Sequence, residues 1–465
     1  MFRQRLFWIG LAIVLFIRVV NGLHRWFPDR MIQIPLTFDF WPIAQRWPIL
    51  ARTPWGNGWM TPTIYPIVIA FSFFLASEIS FSLGLTQILF VPIAAVLLSR
   101  GVNMSSSYMA GGAMGWHRCG AYVAFALMLL YAGRRYYRDL AVQALTLRRR
   151  QGVQAYEAHA FRVLLVSLAA LVGFIISMGL AWPLAIAFVL LMMLIFVGVA
   201  RISAETGLFF VQSRWMPMGA ILGFLGGYAL GPQGILVLGL LSVVLCLDPS
   251  MGLLPYLTNA LKVCDNLNVR VGRAGWTTVA TYLAGLALAI PVVLWANYNF
   301  GIGRYDWSYR RVPTMPFRPA LAEIARLELA GRLDDSDSLS TVERVSPTNI
   351  QPERIFPWTF ATGFVLVLLV SFVRLRFAWW PLHPVIFLVW ATWPVHCFFQ
   401  SFLLGWLIKT VVTRFGGYAT HNRLKPLMIG VVAGEVLGAL VFMLVGAIYY
   451  AATGTLPVSY QFFPR

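Results

Sequence analysis

Charge is scarce in this 465-residue sequence: Asp, Glu, Lys and Arg together make up 11% of it, against roughly 25% in an ordinary soluble domain. A soluble chain of this length could not cover its surface with so few charges. That excludes a cytosolic enzyme, a disordered chain and a small disulfide-stapled domain. Cysteine is scarcer still, at four residues. Cys119, Cys246, Cys264 and Cys397 form no CxxC, and no His-x-x-x-His accompanies them, so neither a disulfide framework nor a zinc site is expected. Walker sequences, serine triads and metal-ligand clusters are absent, so the reading includes no cofactor, no metal and no enzymatic activity. Acid is scarcer than base, with 17 Asp and Glu against 36 Lys and Arg. Only three of those bases are lysine, a bias that points to a GC-rich bacterial genome.

What fills the chain is apolar: 59% hydrophobic and 15% aromatic residues. The expected class is all-α, a polytopic transmembrane bundle of about 10–12 spans with room for broken or re-entrant helices. A net charge of +19 would ordinarily suggest nucleic acid, but here the basic residues stand at the ends of apolar runs. Arg134, Arg135, Arg138, Arg148, Arg149 and Arg150 form the densest cluster, opposed by Asp139 alone. Such a loop is a positive-inside signature and meets anionic headgroups. The expected partner is therefore the lipid bilayer, with no nucleic acid.

Three regions follow from composition: an N-terminal transmembrane bundle over 1–299, a polar extramembrane loop over 300–355, and C-terminal transmembrane helices over 356–465. The first span, Leu6 to Leu23, is flanked by Arg3 and Arg5 and interrupted by Arg18. No small-x-small cleavage site follows, so it reads as a retained helix with its N-terminus in the cytoplasm. Pro62 to Ser99 is apolar for twice one span and broken by Glu78, Ser80 and Ser82. Two helices with a tight polar corner, or one broken helix, fit that pattern. Met216 to Leu247 carries Gly223, Gly226, Gly227, Gly231 and Pro232 and reads as a hairpin. In the polar loop, Pro319 to Gly331 reads as a helix and Asp334 to Glu353 as a flexible link. The last spans are Phe356 to Val373, His383 to Ile408 and Pro426 to Tyr450. Counting from an inside N-terminus, they put the basic 409–425 loop outside, against its charge, so one span is miscounted or one stretch is re-entrant. Pro62-Thr-Ile-Tyr…Ser80-Phe-Ser-Leu-Gly84 and Pro384-Val-Ile-Phe…Ser401-Phe-Leu-Leu-Gly405 also look like an internal repeat.

Charges inside hydrocarbon cost a few kcal/mol or more and need a reason. Glu435 lies nine residues beyond Pro426, roughly 13 Å deep, among Gly430, Gly434 and Gly438 at a spacing of four that permits close helix contact. It should face another helix or a wet cavity. Glu78 is either a titrating carboxylate or a surface turn residue. Arg201 and Glu205 share a helix face if the helix continues, giving a salt bridge. Alternatively, a helix break at Gly207 and Phe209-Phe210 lines a cavity. His396 sits mid-span and is a proton relay or a core histidine.

His383-Pro384 opening a span that ends Gly405-Trp-Leu-Ile408, a basic loop, and then Gly430-Val-Val-Ala-Gly434-Glu435 resemble the C-terminal region of the oligopeptide transporter (OPT) superfamily. Pro62 to Gly84 resembles an earlier stretch of it. More closely, Arg201-Ile-Ser-Ala-Glu205-Thr-Gly207 and Arg414-Phe-Gly-Gly417 resemble an uncharacterised bacterial multi-pass family at a distance from that superfamily. The Asn-Pro-Gly element of classical members is absent, and the span count is lower than theirs. The resemblance implies a proton-coupled secondary transporter of a small organic solute, a peptide or metal chelate, in a bacterial inner membrane. Solute and protons would meet Glu78, Arg201, Glu205, His396 and Glu435. Two rivals stand beside it. One is a non-catalytic scaffold or anchor subunit, with a partner membrane subunit or a homo-oligomer. The other is a membrane glycosyltransferase or acyltransferase using Asp29 and Asp39.

Overall fold

Proline and glycine decide where the apolar runs break. A computed structural model describes residues 2–104, 107, 109–146, 149–208, 211–302 and 306–463; Arg148, Phe209 and Phe210 lie outside them. In chain order the helices are α1 (Arg5–Trp26), the short α2 (Trp41–Arg46), α3 (Pro48–Arg52) and α4 (Asn57–Met60), α5 (Pro66–Phe74), α6 (Ser77–Ser99), α7 (Gly112–Ala132), α8 (Arg134–Thr146), α9 (Ala155–Ser177) and α10 (Trp182–Thr206). They continue with α11 (Pro217–Leu225), α12 (Gly227–Cys246), α13 (Leu253–Asn266), α14 (Val271–Phe300), α15 (Phe317–Leu329), α16 (Leu333–Ser338), α17 (Thr341–Arg344), α18 (Phe356–Arg376), α19 (Val385–Val389) and α20 (Trp393–Thr453). Proline sits in the first turn of α5, α10, α11 and α20, where its missing N–H is no loss.

The protein is an all-α, multi-pass membrane protein. Among the described residues, eight helices are long and apolar enough to cross a bilayer: α1, α6, α9, α10, α12, α14, α18 and α20. The 61-residue α20 is broken at Gly417, whose φ is 70°, so it supplies two lengths. Packing groups the chain into two compact units, one of residues 1–103, 373–386 and 390–465, the other of 104–372 and 387–389.

In the first unit, α1 and the part of α20 after Gly417 run side by side in the same direction. Gly430 abuts the backbone of Phe7 and Leu11, Gly434 that of Leu11, and Gly438 the Arg18 side chain. Further along, Gly22 meets Phe442, and the Trp26 and Tyr449 rings lie 5.0 Å apart. A Cβ at Gly430 would overlap the Phe7 carbonyl, so the glycine stripe is what lets the two backbones approach. Because the helices are parallel, the basic 409–425 loop lies at the same end as Arg3 and Arg5. The expectation that placed them at opposite ends is corrected.

The miscount lies in the 383–409 stretch. α5 runs parallel to the first half of α20: the Tyr65 N–H donates to Ser401 Oγ (2.9 Å), Ser72 Oγ donates to the Phe402 carbonyl (3.2 Å), and Lys409 Nζ donates to the Leu75 carbonyl. α6 returns antiparallel, with Phe81 on Trp406 and Phe90 on Trp390. The His383 N–H donates to Ser82 Oγ (2.7 Å). The stretch thus begins beside Ser82, reverses beyond Trp390 at the level of Phe90, and ends beside Leu75. Both its ends lie at one end of α6, so it is a re-entrant hairpin and not a span. The two stretches read as a repeat are oppositely directed hairpins, and each lends a serine to the N–H ahead of the other's proline.

In the second unit, α10 ends at Thr206 with Gly207 left-handed (φ 70°). The described part of 207–216 is non-helical and largely buried, with Arg118 of α7 donating to the Arg214 carbonyl (2.8 Å). The polar loop is ordered along α12. Ser336 Oγ donates to the Tyr228 carbonyl (2.7 Å) and Arg344 to that of Ala229 (3.3 Å). The Gln351 and Glu353 N–H groups donate to the Leu225 and Gly223 carbonyls, 2.9 Å each. The segment expected as a flexible link therefore holds α16 and α17, because the α11–α12 break exposes carbonyls that need donors. Pro319 to Gly331 matches α15.

Candidate functional site

Arg18 projects from the outer half of α1, counted from the basic end, and Glu435 projects from α20 toward it. Their Nη2 and Oε1 form an ion pair. Arg18 is 5% exposed and Glu435 1%. Charges this deep persist only as partners, since either alone would be an unpaired charge in a low-dielectric interior. The pair is monodentate: Arg18 Nε and Glu435 Oε2 are buried without a hydrogen-bond partner. The Arg18 guanidinium also lies 5.2 Å from the Phe462 ring centroid.

Arg18 lines a cavity of about 600 Å³ in the same unit. Its walls come from the end of α1, two extended stretches and the C-terminal tail. Asn21 fixes the first stretch, accepting from the Ile34 N–H (2.7 Å) and donating to its carbonyl (3.0 Å). The second stretch pairs with it through Ile64 N–H to the Leu36 carbonyl (2.7 Å), and the Thr37 and Thr63 hydroxyls are 3.0 Å apart. The tail contributes Ser459, Tyr460, Gln461, Phe462 and Phe463, and Arg25 completes the rim. Burial raises the Tyr460 pKa above the usual phenol range, although neighbouring Arg18 pulls it down, so Tyr460 stays a neutral hydroxyl. Among the described lining residues there are two arginines and no carboxylate.

Other expected site residues lie elsewhere. Glu78 stands in the first turn of α6, at the end of the unit where the basic loop lies. It forms a two-point pair with Arg374, with Nε to Oε2 at 3.2 Å and a second bond from Nη2 to Oε1, and both side chains are 34% exposed. His396 is buried, its ring 5.0 Å from Trp55 and close against Gly58. Arg201 and Glu205 belong to the second unit and bridge along α10 at 3.2 Å. Asp29 and Asp39 are exposed, and Asp39 accepts from the Trp41 N–H (2.9 Å) at the start of α2. Among the described residues no three His, Cys, Asp or Glu side chains cluster as a metal site.

Residues 1–464 match a family of unknown function, DUF6785. The chain belongs to the DUF6785 family. No curated protein and no solved structure matches it.

Sequence reasoning about this DUF6785 chain missed Arg18 as the partner of Glu435, and missed Arg25, Tyr460 and Gln461 altogether. The available signal was Arg18 itself, a charge in the middle of an apolar run. A second cavity, about 780 Å³, lies in the other unit. Its lining is apolar and includes Cys119, Leu184, Ile221, Phe224 and Phe360, with no charged side chain among the described lining residues.

Proposed function

We propose that the protein is a secondary transporter of the bacterial inner membrane, OPT-like in its broad plan, that moves a small organic solute such as a peptide or metal chelate together with protons. The observation that carries this reading is the buried Arg18–Glu435 pair standing against a polar cavity. A proton arriving at Glu435 removes the charge that holds α1 to α20, so protonation and helix packing are linked at one point. The oppositely directed hairpins α5–α6 and α19–α20 add support, since many secondary carriers are built from inverted, discontinuous helices around a central site. The basic ends of α1 and the 409–425 loop favour a cytoplasmic N-terminus, and the cavity then opens outward. In this reading Glu435 carries the proton, Glu78 and Arg374 brace the α5–α6 corner, and Arg201, Glu205 and His396 serve the packing.

The test is solute-dependent proton flux in proteoliposomes, read with a pH-sensitive dye while dialanine, trialanine and ferric citrate are supplied outside. The native protein should acidify the lumen with at least one of them, and Glu435→Gln should abolish the flux while still inserting. Unchanged flux in that variant removes Glu435 from the mechanism. One observation favours a second reading, a scaffold subunit: α14, 30 residues long, has no buried residue, which leaves most of its surface for lipid, a partner subunit or a second copy. A stoichiometric partner that co-purifies and is lost on substitution along α14 would favour it.

A further inference from the structure

We propose that the cavity beside Arg18 binds organic carboxylates, the ligand's carboxylate taking the place on Arg18 that Glu435 holds in this structure. The proposal deepens the transport reading and rests on it for passage across the membrane; recognition itself is tested by binding.

Three observations converge. Arg18 and Arg25 both line the cavity, and no acidic side chain does so among the described lining residues. Glu435 balances Arg18, so Arg25 leaves the lining net positive, and a cleft of one sign concentrates ligands of the other; a cationic solute is disfavoured. Second, Arg18 is already matched to a carboxylate, yet incompletely: Glu435 engages Nη2, while Arg18 Nε and Glu435 Oε2 are buried with no hydrogen-bond partner. A guanidinium prefers a carboxylate on two parallel N–H groups, so a ligand offering both oxygens improves on Glu435. Third, Leu36, Ile64 and Phe462 supply an apolar wall for the body of the ligand.

The exchange fixes a proton count. Glu435 displaced as an anion would be a buried, unpaired charge. It therefore leaves Arg18 as the neutral acid, having taken one proton from solution. One carboxylate anion and one proton enter together, the Arg18 charge stays paired throughout, and no covalent bond changes.

The experiment is isothermal titration calorimetry on the purified protein in neutral detergent at pH 6, in buffers of differing ionisation enthalpy. The probes are N-acetyl-dialanine, succinate and citrate, with N-acetyl-dialanine amide as the uncharged match. At least one acid should bind with uptake of about one proton, and an acid that has a matched amide should exceed it by roughly tenfold or more. Glu435→Gln should bind the same acid with no proton uptake. Arg18→Gln should lose binding, and if it fails to fold, Arg25→Gln at the rim should weaken binding several-fold. Binding by none of the acids, equal binding of acid and amide, proton-neutral binding by the native protein, or competition by phosphatidylglycerol alone would overturn the proposal. Acid binding with one proton but no vesicle uptake would uphold it and count against transport.

Discussion

Two arginine–glutamate pairs tie helices together in the same compact unit, and their surroundings are opposite. Arg18–Glu435 joins α1 to α20 with both side chains buried, through one contact. Arg374–Glu78 joins the end of α18 to the start of α6 with both side chains a third exposed, through two contacts. The better-bonded pair is the wetter one. A structural brace should look like Arg374–Glu78: two-point, near the surface, cheap to solvate. A pair with buried, unsatisfied atoms on both partners, beside a polar cavity, is a poor brace, and its defects are better explained by exchange with something else.

The largest effect should come from unbalancing the buried pair. Removing one partner of a buried pair typically destabilises by about 3–5 kcal/mol, whereas replacing both with apolar groups is often neutral. Arg18→Leu and Glu435→Leu should each lower the detergent melting temperature strongly. The double variant should recover most of the loss yet show no solute-driven proton flux. Recovery of flux along with stability would mean that both pairs are braces and the contrast between them is only one of depth.

At the other pair a smaller effect is expected. Glu78→Gln leaves a partly solvated Arg374 that water can serve, so the loss should be about 1 kcal/mol or less, with flux retained and its pH profile unmoved. A shifted pH profile would place Glu78 among the titrating groups and erase the distinction. Thermal melts in low and high salt sharpen the point: the exposed pair should be weakened by screening and the buried one hardly changed.

Much of this contrast was legible in the residues, though unevenly. The spacing of Gly430, Gly434 and Gly438 announces a close helix contact, and the depth of Glu435 announces a partner. Neither says that the contact is α1, because sequence spacing reports which face is smooth and not which helix will meet it. The charge of the 409–425 loop already objected to its placement outside. The objection was sound, and the fault lay in taking the 25 apolar residues after His383 for a crossing. An apolar run long enough to span is also long enough to turn back, and the turn at Ala391 and Thr392 is followed only by Pro394 in the first turn of α20, a residue that a helix start inside a spanning run would explain as well. The loop after Asp334 looked flexible because its composition is polar, yet it is ordered by hydrogen bonds to a helix break more than a hundred residues earlier. The cavity walls were invisible for a similar reason: 33–37, 63–65 and 459–463 meet only in the fold.

A third pair, Arg201–Glu205, supplies the smallest expected effect and a control for the other two. It lies along a single helix at spacing four, so it joins no two elements, and Arg201 is half exposed. Such pairs contribute about 0.3–0.5 kcal/mol. Arg201→Gln should therefore shift the melting temperature barely beyond measurement error and leave solute-driven flux intact. A large loss of flux with normal stability would mean that Arg201 meets a charged solute, and that the helix end at Gly207, not the α1–α20 contact, is where the chemistry of this chain resides.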